Sequence, residues 1–272
     1  MNLITITSDW GTNDHYSATV KANIYRHSPD AKILDITHHI PAFDIGKAAY
    51  FIRNVYPHSP DGTVHIIGVD TIPDKNRSHL IMCYRNQFFV GTDNGIFSLL
   101  IPRGEKPSAV YKIIEMQNHD NRTFPSRDLF AKIATRLASG TPPEKFGEPS
   151  QILNRITPSL PIERKAKIPG TEIFYPEIAG RVTHIDSYGN VNTNIHQSKF
   201  NRLKSQASHF RIFYGGNDFI DRISMDYSDV GIAKELALFA SDGCLQIAMN
   251  RANAAGLLGI KKDSAIIIRF RN

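Results

Sequence analysis

In the first seventy residues strand-like and helix-like patterns alternate, and each strand hands an aspartate to the loop that follows it. Leu3 to Thr7 mixes β-branched and apolar residues as a strand does, and leads to Asp9. His15 to Arg26 reads as a helix stopped by Ser28-Pro29, and Lys32 to Ile36 is a second short strand beside Asp35. Asp44 to Val55 is a helix with Ala48, Phe51, Ile52 and Val55 on one face, and the strand Thr63 to Val69 ends at Asp70. Strand, helix, strand, helix, strand predicts an α/β domain built on a mostly parallel sheet. Ligands of open α/β sheets bind beyond the carboxyl ends of the strands, and those ends carry Asp9, Asp35 and Asp70.

Two further strand patterns follow, His79 to Tyr84 and Gln87 to Val90, and then a helix from Arg127 to Ser139, closed by Gly140 and with Asp128 suited to its N-terminal dipole. Residues 158–170 are Pro-rich, charged and without periodicity, which suits a linker between a domain over 1–157 and a smaller one over 171–272. The second domain shows short strands divided by turn signals: Gly180 to Ile185, Val191 to Ile195, His209 to Tyr214, Glu235 to Phe239, Leu245 to Met249 and Ala265 to Phe270. This pattern predicts a small β-barrel or sandwich. With 272 residues, 41% of them hydrophobic, the chain can bury one large core or two smaller ones.

Several function classes recede on composition. The two cysteines, Cys83 and Cys244, lie in apolar runs as free thiols do, so no disulfide framework is expected. The N-terminus lacks a positive leader region and no apolar run approaches a bilayer span, so a cytoplasmic protein with no membrane partner is expected. The net charge of +6 is scattered among acids, without the one-faced cluster of a nucleic-acid reader, so no nucleic-acid partner is expected.

The polar clusters allow specific chemistry, each beside a plainer reading. Asp9, before the Trp10-Gly11 turn, can accept two hydrogen bonds from a diol such as ribose, or cap an Asx-type turn. Asp35 with His38 and His39 has metal-binding residue types at an unspecific spacing, which favours structural hydrogen bonding and no metal. Asp70 and Arg77 flank a loop containing Pro73, where they can hold a water between them or form an ordinary salt bridge. Ser126 sits where backbone N–H groups of a helix start can face an anion or nucleophile, or where a serine simply caps the helix.

Taken together, Ser8-Asp9-Trp10-Gly11-Thr12 with Asp14 and Lys21, Asp35-Ile36-Thr37-His38, Gly62-Thr63-Val64 leading to Asp70, Asp93-Asn94-Gly95, Phe124 to Asp128, Asp186 to Ile195 and Leu245 to Gly259 resemble the S-adenosyl-L-methionine hydroxide adenosyltransferases. That family also contains fluorinases and chlorinases, and the similarity covers nearly the whole chain. The resemblance implies an N-terminal α/β domain, a C-terminal β-barrel, and a homotrimer with sites at subunit interfaces. It implies attack of a nucleophile on ribose C5′ of S-adenosylmethionine with methionine leaving, and no cofactor, since the substrate's sulfonium is already an activated leaving group. Carried over by position, Asp9 resembles the ribose-diol acceptor, Phe43 and Tyr188 aromatic walls, and Asn190 an adenine contact. Phe124 falls in the substrate-binding set, and Asp186 with Ser241 resembles the pair that binds methionine.

Asp70 and Arg77 match two members of the hydrolases' water-activating Asp, Arg, His set. The third departs: the hydrolases carry Thr-Phe-His-Gly-Arg-Asp, whereas this chain has Thr123-Phe124-Pro125-Ser126-Arg127-Asp128. Ser126 stands where the halogenases place a halide-contacting serine, and His119 is a candidate to replace the absent imidazole. The loop Thr71-Ile72-Pro73-Asp74-Lys75-Asn76 also differs from the Gly-rich family form. Halogenases carry an uncharged group at the Asp70 position, and a carboxylate there repels a desolvated halide by several kcal/mol, on the order of a Coulomb estimate. The expected activity is hydrolysis to adenosine and methionine with Asp70, Arg77 and Ser126 at the reacting centre. The alternatives are a halogenase and a binding protein that kept the pocket and lost turnover.

Overall fold

The computed structural model describes residues 3–114, 123–167, 170, 172 and 174–271. The chain divides into two compact units, residues 1–158 and 159–272.

The N-terminal unit runs β1 (Leu3–Ser8), α1 (Tyr16–His27), β2 (Lys32–Thr37), α2 (Ile45–Val55), β3 (Val64–Gly68), β4 (His79–Tyr84), β5 (Gln87–Thr92), α3 (Ile96–Leu100), β6 (Ala109–Ile113), α4 (Ala131–Ala138) and β7 (Gly147–Pro149). Its seven strands form one sheet in the order β2-β1-β3-β5-β4-β6-β7. The first four of these are parallel neighbours, as the helical crossovers require, and β4, β6 and β7 extend the sheet antiparallel. Strands buried on both faces give two cores. Ile4, Ile6, Val64 and Ile66 pack with Val20 and Ile24 of α1 and Ile133, Ala134 and Leu137 of α4, while Ile67, Leu80, Met82 and Phe89 pack with Ala48, Ala49 and Ile52 of α2. Because β2 and β3 lie on opposite sides of β1, the chain leaves β1 in one direction and returns in the other. The crevice this creates at the carboxyl ends is where such sheets hold ligands.

The C-terminal unit runs β8 (Ile162–Lys167), β9 (Phe174–Ile185), β10 (Val191–His196), α5 (Gln197–Lys204), β11 (His209–Gly215), β12 (Asp218–Ile220), β13 (Glu235–Phe239), β14 (Cys244–Met249), α6 (Ala254–Leu258) and β15 (Ala265–Arg271). Its antiparallel strands follow the order β12-β11-β15-β9-β10-β14-β13, with β8 added on β9, and the curled sheet nearly closes as a barrel around Ile178, Val182, Val191, Ile212, Ile247, Ile266 and Phe270. The expected α/β domain followed by a barrel is therefore present. Residues 162–167, read from sequence as linker, form β8. Ile-Glu-Arg-Lys-Ala-Lys has no apolar alternation because five of its six residues are exposed, and backbone pairing to β9 orders them.

Among the described residues no helix is long and apolar enough to cross a membrane. Cys83 and Cys244 are not joined in a disulfide.

Candidate active site

The ends of β1 and β3 are neighbours in the sheet, so Asp9 and Asp70 leave it side by side. The carboxylate of Asp9 accepts a hydrogen bond from the backbone N–H of Phe43 at 3.0 Å. That partner lies 34 residues away, so Asp9 fastens the approach to α2 and is not capping a local Asx turn. Phe43 adopts φ 65°, a left-handed conformation that a bulky side chain rarely takes, and its ring is 70% exposed. The tertiary hydrogen bond to Asp9 holds this strained backbone and presents the aromatic ring to solvent.

Trp10 and His38 complete this wall, though the sequence reading assigned neither a site role. Trp10 lies across the end of β3, so close to Gly68 that a Cβ there would stand 2.4 Å from the indole. Its ring packs on His38 at 6.2 Å and edge-on to Phe124 at 5.2 Å between centroids. His38 is buried, its Nδ1 is 2.7 Å from Ser8 Oγ, and its Nε2 is 3.2 Å from Asp35 Oδ1. Burial lowers the His38 pKa, against the opposing pull of Asp35. Asp35 also pairs with Lys21, while His39 is exposed and bonds Thr37 through its backbone. The Asp35 cluster is thus a structural network, and among the described residues no group of three or more His, Cys, Asp or Glu side chains is arranged to hold a metal ion.

Asp70 sits just beyond β3 with φ 47°, a second left-handed residue at the same edge. Arg77 Nη2 donates to Asp70 Oδ2 at 2.5 Å and to Asp70 O at 2.9 Å. Asn94 Nδ2 donates to the carbonyls of Val69 and Asp70, and Thr92 Oγ1 to that of Thr71, so the turn is fixed from β5. His79 stands behind it, with Nδ1 2.9 Å from the same Thr92 hydroxyl; burial pushes its pKa down to about 4. The Asp70–Arg77 pair remains 26% exposed on each side chain, accessible to a small polar molecule, and Arg77 Nε is buried without a partner.

Phe124 to Asp128 does not start a regular helix. Pro125 occupies the first helical position, where its missing N–H costs nothing, and Ser126–Phe130 forms one π-helical turn, closed by Ala131 N–H donating to Ser126 O, before α4 continues as an α-helix. Ser126 is fully buried and among the described residues its hydroxyl has no partner, so it is not the helix cap. Arg127 pairs with its neighbour Asp128 and covers the Phe124 ring at 5.4 Å. His119 lies outside the described residues.

In the C-terminal unit Asp186 organises the β9–β10 turn. Its Oδ1 accepts from the backbone N–H groups of Tyr188 and Asn190, each at 2.9 Å, and its Oδ2 from Asn190 Nδ2 at 3.0 Å. This places Tyr188, 79% exposed, and Asn190 on a cleft of about 720 Å³ shared with Asp226, Tyr227, Asn250 and Arg251. Ser241 is not brought there. It lies in the β13–β14 turn, whose Gly243 packs on His196 at the far end of β10, roughly 20 Å of strand from Asn190. The residues beside Tyr188 and Asn190 in this unit are Asn250 and Arg251, directly after β14, and the run Met249-Asn250-Arg251 gave no local signal of that.

The N-terminal unit thus carries two left-handed residues, Phe43 and Asp70, an Asp70–Arg77 ion pair beyond the end of β3, and a buried Ser126 hydroxyl. The chain matches the SAM hydroxide adenosyltransferase N-terminal domain over residues 4–147 and the corresponding C-terminal domain over 180–267. It belongs to that family. It is 29% identical to an (R)-S-adenosyl-L-methionine hydrolase from Thermus thermophilus, across 98% of this chain and 99% of the relative. A fluorinase from Nocardia brasiliensis is 24% identical over 98% and 96% of the two chains. Among solved structures, an uncharacterized conserved protein from Thermotoga maritima superposes with a TM-score of 0.83 at 27% identity, covering 98% of this chain and 99% of that one.

Proposed function

We propose that the protein hydrolyses S-adenosyl-L-methionine at ribose C5′, giving adenosine and L-methionine. The observation that carries this reading is the Asp70–Arg77 pair on a strained turn beside Asp9, in a chain whose relatives include hydrolases of this substrate. Asp9 accepts from the ribose hydroxyls, and Phe43, Phe124 and Tyr188 bound the nucleoside. Asp70 and Arg77 orient a water. Its oxygen attacks C5′, the C5′–S bond breaks, the electron pair passes to sulfur to leave neutral methionine thioether, and the water proton is shed through Asp70 to solvent. The sulfonium leaves without further activation, so alignment and desolvation of the nucleophile are the protein's contribution.

Ser126 supports this centre as a donor. A buried hydroxyl without a partner loses about 1–3 kcal/mol, which a bond to the incoming oxygen offsets. Asp186 faces the substrate's ammonium through what its turn leaves exposed, and Asn190 meets the adenine. The reading includes a homotrimer, in keeping with the exposure of Phe43 and Tyr188 in one chain, and a cytoplasmic setting, in keeping with two cysteines not joined in a disulfide. S-adenosylmethionine is the only small molecule this chemistry requires besides water.

Incubating the purified protein with S-adenosylmethionine, with and without chloride or fluoride, and separating the products tests the reading. Adenosine and methionine formed independently of halide are expected. A 5′-halogenated adenosine would overturn the argument from the Asp70 charge, and binding without any product would assign the pocket to ligand capture alone.

A further inference from the structure

One face of the C-terminal unit carries more positive charge than its own acids answer. Across four neighbouring strands a row of paired positions reads Arg164 on β8, Glu177 on β9, Arg269 on β15 and Arg211 on β11. Glu177 is 1% exposed and accepts from Arg164 Nε at 2.8 Å and Arg269 Nε at 3.1 Å. Two guanidinium groups therefore share the one carboxylate, and Arg211 stands opposite Arg269 without an acid. Two residues along the same face, His209 stands opposite Arg271. Among the described residues no carboxylate pairs with Arg211 or Arg271. Like charges set directly opposite weaken an antiparallel pair, so stability alone gives no reason for this arrangement.

The arginines are also held in place. Arg211 lies over Phe219 at 4.2 Å, Arg269 over Phe213 at 4.6 Å and Arg271 over Tyr175 at 5.4 Å, measured from the guanidinium carbon to the ring centroid. Stacking fixes a guanidinium plane and leaves its N–H edge free to donate, the geometry that matches a phosphoryl group. With His209 and Phe213 these three arginines line a cleft of about 190 Å³, below the range of nucleoside-sized pockets and suited to one tetrahedral anion.

We propose that this cleft is a binding site for a phosphoryl group, either inorganic phosphate or the phosphate end of a small monoester, held by the N–H edges of Arg211 and Arg271. It is separate from the candidate active site and independent of the hydrolase reading. Calorimetric titration of the full-length protein with inorganic phosphate and with glucose 6-phosphate, at ionic strength matched with potassium chloride, tests it. Saturable binding is expected, weakened at least tenfold in Arg211→Gln and in Arg271→Gln. Tighter binding of glucose 6-phosphate identifies a monoester as the ligand, and equal or weaker binding identifies phosphate itself. Absence of saturable binding by both probes, or equal affinity in the variants, would overturn the proposal. Arg211→Gln is expected to melt no lower than the wild type in phosphate-free, low-salt buffer, because it relieves the like-charge pair with Arg269. A lowered melting temperature would refute the argument from repulsion.

Discussion

Lowering the pH from 7 to 5 favours the unfolded chain, which there protonates two imidazoles that the folded N-terminal unit holds neutral. His65, on β3, sits between Thr5 Oγ1 and Gln87 Oε1, each 2.7 Å from a ring nitrogen, and is 1% exposed. Burial pushes the pKa of His65, like that of His79, down to about 4, while the unfolded chain protonates near 6.5. A depressed histidine means that the unfolded state binds more protons through this window, so the contribution is present above about pH 6.5 and is lost as pH falls toward 4. At pH 5 the loss is about 2 kcal/mol for each ring, about 4 kcal/mol for the two, with the lowered His38 adding in the same direction. Trp10, the single tryptophan, packs within this unit and reports on it by fluorescence. With a urea slope of about 2 kcal/mol per M, the midpoint should fall by roughly 2 M between pH 7 and pH 5. His65→Gln should remove about half of the drop. A midpoint that barely moves, or a drop of undiminished size in the His65→Gln, His79→Gln double variant, would refute the assignment of these rings as the acid-sensitive element.

Asp70→Asn keeps the shape of the turn and removes the carboxylate, so turnover should fall on the order of 10² to 10⁴-fold while substrate affinity by equilibrium dialysis changes little. Ser126→Ala deletes an unpaired buried hydroxyl; the melting temperature should hold or rise, and kcat should drop, with a lower melting temperature counting against the hydroxyl being free. Phe43→Asn relieves a left-handed aromatic and should stabilise the unit by about 1 kcal/mol in thermal melts, while KM rises because the ring is gone.

The N-terminal architecture was legible because β1 and β3 are buried on both faces and the helices on one, leaving strong periodic signals from Leu3 to Val69. The short edge elements were not. β7 is three residues, Gly147-Glu148-Pro149, and β8 is charged along its length, so in both the backbone ladder supplies order that side chains do not announce. The sequence pointed to Asp9, Asp70 and Arg77 through their places at strand ends. Trp10 and His38 escaped because their contacts with Gly68 and Ser8 exist only once β1 lies between β3 and β2. Ser241 was carried over by position from the family resemblance, and only the register of β10 on β14 reveals which end of the barrel it occupies.

The π-helical turn at Ser126 makes the content of the site a matter of rotational phase. Such a turn accommodates one residue more than an α-helix would over the same rise. Deleting a single position between Phe124 and Ala131 would let the segment wind regularly, and every side chain ahead of the deletion would swing by about 100° around the axis. The hydroxyl would then leave its buried position without any change in its own identity. Insertions and deletions at this corner are thus as able as substitutions to change which side chain is buried there.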